Sequence, residues 1–152
     1  MTDDPYGHWM GTPMDESDID DMLLAHDWGT LALATDDVPY SIPMTYGFDG
    51  DDVYFGFIDD KPRNEKFSYL GEGKPARLLV MDIEAKFDWR TVAVSGPIRS
   101  LSHGSSHWET MLDVLGENTW FASDYDRVRV VEKIHGWRMV PETKVGRHID
   151  SE

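Results

Sequence analysis

From Thr30 onward the chain breaks into short apolar runs parted by turn residues: TLALAT, DDVP, YSIPMTYGF, DGDD and VYFGFI. Runs of this length bounded by Asp, Gly and Pro are strands of a β-meander. Asp49-Gly50-Asp51-Asp52 marks a hairpin, since glycine supplies the positive φ that tight turns need. ARLLVMDI and WRTVAVSGPIRSL add two strands rich in Val, Leu and Ile, joined by an EAKFD turn. GWRMVPETKVGRH reads as the closing strand, with Pro141 confining it to an edge or a bend. Six strands with a few covering helices predict a mainly β fold, an antiparallel barrel.

The helices are predicted from caps and spacing. Ser17 stands where it can cap residues 18–26, whose Ile19, Met22 and Leu23 fall on one face. Phe67 and Leu70 predict two helical turns over 62–70, with Pro62 in the first turn. Trp108, Met111, Leu112 and Leu115 predict a helix from Ser105 to Gly116. YDRVRVVEKI, residues 125–134, fits a helix or a strand, and helix is preferred. Residues 1–14 show no periodicity and read as a flexible acidic leader, which leaves 15–150 as one domain.

Charge narrows the partners. Acids number 29 against 14 basic residues, a formal charge of −15, and a field of that sign repels nucleic acid and anionic membranes. The acids are scattered as DD pairs, and six of the 14 basic residues are Lys; this fits a hydrated coat adapted to high salt, where self-repulsion is screened. There is no cysteine, which removes disulfides, thiolate metal sites and cysteine nucleophiles. The N-terminus has no signal-peptide pattern, and no apolar run reaches the length of a membrane span, so the expected location is the cytoplasm.

Against that acidity, Lys61, Arg63 and Lys66 cluster directly after the third strand. Cations at a helix start, with arginine able to bond bidentately, suit a phosphate monoester; the alternative is that they neutralise Asp59, Asp60 and Glu65. His103 and His107 stand four apart, a spacing two metal ligands can use, but no third ligand is evident, and surface residues are the simpler reading. His135, before Gly136, reads as a cation at a helix C-terminus.

LLAHDWGTLALATDDVPYSIPMTYGFDGDDVYFGF, then NEKFSYL, then FDWRTVAVSGPI, resemble the pyridoxamine-phosphate-oxidase-like flavin-binding split barrels. In that family a short helix precedes a G-x-L-A-x-T strand, P-Y-x-x-P opens the next, and a W-x-S/T-V-x-V-x-G strand comes later, matched by Trp89, Thr91, Val92, Val94 and Gly96. WRMVPETKVGR resembles the closing V-P-E-x-x-x-G-R strand. The resemblance implies a homodimer with flavin mononucleotide (FMN) between the subunits. The second strand would lie along the ring with its backbone, at Ile42, Pro43, Met44 and Thr45; the third would contribute Phe55, Gly56 and Phe57. Arg63 and Lys66, with Lys61, would hold the phosphate, and Thr91 would reach the ring beside Trp89 and Arg90. Only Gly146-Arg147-His148 stands where true pyridoxamine phosphate oxidases carry Arg-x-His, so the implied branch is the general flavin-binding or nitroimidazole-resistance-like one. The implied activity is an oxidoreductase passing electrons from a reduced nicotinamide to a small acceptor. The alternatives are a flavin carrier or sensor, or a split barrel using the deazaflavin F420 or haem.

Overall fold

A computed structural model describes residues 7–58, 68–118 and 134–150. Helix α1 spans Gly7–Met10 and strand β1 Thr12–Pro13; α2 is Glu16–Ala25, β2 Trp28–Thr35, β3 Val38–Thr45, β4 Gly47–Phe48 and β5 Val53–Ile58. Then come β6 Pro75–Ala85, β7 Asp88–Ser100, α3 Ser106–Gly116, β8 Ile134–Met139 and β9 Thr143–Ile149.

Local chemistry sets these boundaries. The cap of α2 is Asp15, whose carboxylate accepts from the Asp18 amide at 2.9 Å, while Ser17 donates to that same carboxylate. The helix therefore begins two residues before the predicted start. Asp36 and Asp37 both take positive φ, which closes the β2–β3 hairpin in two residues. At the β4–β5 hairpin the Asp49 side chain accepts from the amides of Asp51 and Asp52, at 2.8 and 2.7 Å, and Gly50 supplies φ +99. Ser105 caps α3 by accepting from the Trp108 amide, at the start that the spacing of the apolar residues predicts.

The strands form an antiparallel sheet in the order β3-β2-β6-β7-β8-β5-β4, with β9 beside β7 and β1 beside β9. It is a mainly β split barrel, as expected, but with nine strands among the described residues rather than six. Three differences account for the count. The YSIPMTYGF run breaks at Tyr46, which is buried and donates to the Leu23 carbonyl at 2.7 Å. Buried Asn118 locks that corner by donating to the carbonyls of Asp27 and Tyr46. The closing strand divides at 140–142: β8 pairs with Ile98–Ser100, β9 with Trp89–Ser95. Between them Val140 and Glu142 bond to Pro97 and Ser95, and a Cβ at Gly96 would run into the Val140 carbonyl. Finally, the expected leader takes structure from Gly7. β1 pairs with Arg147 and His148, and the Arg147 guanidinium donates to the carbonyls of Met10 and Gly11.

Residues 62–67 of one predicted helix, and 125–133 of another, lie outside the described residues. Ile134, placed in the second helix, instead opens β8. His135 follows it in that strand, so it caps no helix there. The core fills the barrel with Leu31, Leu33, Leu78, Val80, Val92 and Val94, closed by Ile19, Met22 and Leu23 of α2. A second cluster, Tyr54, Trp108, Met111, Leu115 and Ile134, seats α3 against β5 and β8.

Candidate functional site: the outer face of the β6–β7 sheet

Strand alternation decides what each face carries. In β6, Ala76, Leu78 and Val80 point inward and are buried. Arg77, Leu79, Met81 and Ile83 point outward, and Met81 and Ile83 are 50% and 64% exposed. Register extends this face into rows across the sheet. One row runs Pro43, Thr30, Leu79, Ala93, Val145; the next runs Ser41, Ala32, Arg77, Ser95, Thr143. Two shorter rows follow on the other side: Met81, Thr91, Arg147 and Ile83, Trp89, Ile149.

A recess of about 420 Å³ opens on this face, floored by Leu79, Ala93 and Val145 and edged by Thr91, Arg77 and Arg147. That is the size class of small-molecule sites, with an apolar floor and a few polar groups at the margin. The composition fits a planar ring with polar edges.

The structure brings some predicted residues to this face and sends others elsewhere. Pro43 and Thr45 share the parity of Thr30, so their side chains stand outward, and Thr91 lines the recess. Trp89 is on the same face, but its indole lies against the Gly11 backbone, under the N-terminal segment. Ile42 and Met44 turn inward onto the core, so toward a ligand they offer backbone. That backbone is at an edge: among the described residues β3 pairs with β2 alone. Phe55 and Phe57 are fully buried in the core. Gly56 faces Gly136, at which a Cβ would meet Trp108 and Met111, so β5 is covered on both sides and presents no side chain to the recess. Arg90 projects from the opposite face, in register with Asp82 and His148. Lys61, Arg63 and Lys66 lie outside the described residues.

The sequence reading missed Arg77, Leu79, Ala93, Val145 and Arg147. A signal was there: ARLLVMDI is apolar at both parities, as a strand covered on both faces is.

His103 and His107 do not converge. His103 stacks on Trp108 with ring centroids 3.9 Å apart, while His107 Nδ1 is 3.2 Å from the Tyr54 hydroxyl. That hydroxyl donates to Asp49 at 3.3 Å. Burial first, then the charges of Asp49 and Asp52, hold the Tyr54 phenol well above its usual range. Among the described residues no three His, Asp or Glu side chains group to hold a metal, and no helix is long and apolar enough to cross a membrane.

A curled antiparallel sheet whose closing arm divides between β8, on one end of β7, and β9, on the other, is a split barrel. The family pattern described as pyridoxamine 5'-phosphate oxidase matches residues 15–148. The chain belongs to that family. Among solved structures it is similar to an FAD-binding protein of Mesorhizobium loti, with TM-score 0.70 and 16% identity over 91% of this chain and 98% of that one. An FAD-binding protein of Mycobacterium smegmatis gives 0.67 and 15%, covering 93% and 100%. An FAD- and haem-binding protein of the same organism gives 0.69 and 16%, covering 91% and 74%. No curated protein matches the sequence.

Proposed function

We propose that this protein is a cytoplasmic, homodimeric flavoprotein that binds FMN on the outer sheet face, in the groove between two copies. It would act as an oxidoreductase, passing electrons from a reduced nicotinamide to a small acceptor. The observation that carries the reading is the recess and the face around it. In a chain with 29 acids, the outward positions Leu79, Met81, Ile83 and Val145 are apolar and only partly covered within one copy. Apolar area of that extent on a soluble chain is normally buried by a ligand or a partner. When bound, the flavin supplies the redox chemistry. The chain's own groups bind and orient it: Leu79 and Ala93 exclude water from the ring, the Thr91 hydroxyl hydrogen-bonds its polar edge, and the β3 edge offers backbone amides and carbonyls. Donors on that edge favour the negative charge that develops on reduction. The assignment of the phosphate to Lys61, Arg63 and Lys66 rests on the family resemblance.

A second reading, FAD in place of FMN, draws on the FAD-binding relatives. Absorbance of the protein as purified and after incubation with each nucleotide, with the extracted group identified by mass, tests both. Flavin bands with FMN in the extract support the first reading and FAD the second; a Soret band points to haem. A colourless chain that takes up neither flavin overturns both. Bleaching by NADH or NADPH separates an oxidoreductase from a carrier that only dithionite reduces. The acid excess further supports adaptation to salt, and a melting temperature independent of KCl would count against that.

A further inference from the structure

We infer that the segment Gly7–Pro13 is an autoinhibitory strap: fastened by Arg147 across the outer face, it covers Trp89, and its release lengthens the recess onto that indole. That flavin drives the release rests on the flavin reading; the strap's own opening does not.

The recess ends where this segment begins. Its margin at that end is Thr91, Arg147 and Pro13, and the next row of the same face is Ile83, Trp89 and Ile149. Trp89 would extend the floor, but the Gly11 backbone rests on it: a Cβ at Gly11 would stand 2.7 Å from the indole and 2.9 Å from the His148 carbonyl. Gly11 takes φ +80 to make this approach, a conformation glycine adopts without strain. No flat ring reaches the indole while the segment is in place.

The fastening is light. β1 pairs with β9 at two positions, Thr12 with His148 and Pro13 with Arg147. The Arg147 guanidinium adds its bonds to the carbonyls of Met10 and Gly11, at 2.8 and 2.9 Å, and the Met14 amide donates to the Gly146 carbonyl at 2.8 Å. Little apolar surface is buried along with them. Of residues 9–13 Gly11 alone is buried, Trp9 and Met10 are 73% and 57% exposed, and a cavity of about 210 Å³ is left among Trp9, Lys86, Phe87 and Ile149. A segment held by few bonds over so little buried area opens at a fraction of the cost of unfolding the sheet beneath it. Arg147 belongs to both the latch and the recess margin, so the strap and an occupant of the recess act on one side chain. A ligand that stacks on Trp89 binds the released form and draws the equilibrium toward it.

Gly11→Val tests this without touching a residue that lines the recess. Hydrogen exchange is followed by mass spectrometry over residues 9–14, with β7 as the internal standard. In flavin-free parent, 9–14 should exchange while β7 stays protected. In Gly11→Val, and in the milder Gly11→Ala, the protection left in 9–14, that of the Met14 amide included, should disappear with β7 and the circular dichroism unchanged. FMN should speed strap exchange in the parent. It should bind Gly11→Val about tenfold tighter, the gain expected when the parent's strap is released about a tenth of the time, and adding Trp89→Leu should take that gain away. Loss of protection in β7 together with the strap in both variants, or strap protection unchanged in both, overturns the inference. So does slower strap exchange on FMN loading, or FMN binding by Gly11→Val that is no tighter than the parent's. Should neither protein take flavin, the flavin reading fails and the coupling with it, and exchange in the flavin-free proteins still decides whether the strap opens apart from the barrel.

Discussion

The two faces of β6 and β7 are made of much the same residues and have different fates. Inward, Leu78, Val80, Val92 and Val94 are fully buried. Outward, one residue along each strand, Met81 and Ile83 are at least half exposed, and Leu79 and Thr91 are half-buried. A sheet with one wet face normally alternates apolar with polar. Here the solvent-facing parity from 77 to 83 carries no acid at all, although acids outnumber bases two to one elsewhere. Apolarity on the inner face explains the fold; on the outer face it contributes little to the fold of one copy and needs another explanation.

The largest expected effect separates neighbours. Leu78→Ala should lower unfolding free energy by about 2–5 kcal/mol, because it opens a cavity in a packed core. Leu79→Ala should cost a single copy less than half as much, measured by urea denaturation at low protein concentration. Equal costs would break the distinction between the faces. Next comes an outer-face pair, Met81→Glu with Ile83→Glu. The fold should persist by circular dichroism while light scattering reports loss of the proposed dimer and flavin loading falls; an unchanged mass and loading would remove the face from the proposed interface.

The smallest effect concerns α2, the lid on the inner face. The amide of Asp18 and the hydroxyl of Ser17 hold the Asp15 carboxyl below its usual 3.8. A depressed value in the folded state means stability that is present above 3.8 and lost as pH falls through the lower native value. Asp15→Asn keeps a cap acceptor but cannot titrate, so the two proteins' urea midpoints should converge on acidification. A constant offset across that window would deny the linkage.

Much of this was legible from local pattern. The turns at 36–37 and 49–52, the strands β2, β5, β6 and β7, and the span of α3 are fixed by neighbouring residues, and the sequence reading found them. What it missed depends on partners distant in the chain. Nothing near Tyr46 says that Leu23 and Asn118 will pin a corner there. Val140 reads as mid-strand until Gly96 is seen to admit it. Ser17 and Asp15 are both good caps, and only the helix start tells which one serves. The site was partly legible for a different reason. Alternation leaves the backbone reading of 42–45 untouched, but along 89–91 the period of two turns Arg90 away from Trp89 and Thr91. The parity of the whole strand, rather than the motif, finds Arg77 and Leu79.

The arm from Ile134 to Ile149 has a consequence for how the protein is made. β1 gains its partner, and β5 and β7 their second, from this stretch. Until that arm has emerged, those strands wait with open hydrogen-bonding edges, and such edges invite pairing with other chains. Closure waits on the arm, and a nascent chain stalled short of Thr143 would leave β7 a template for aggregation.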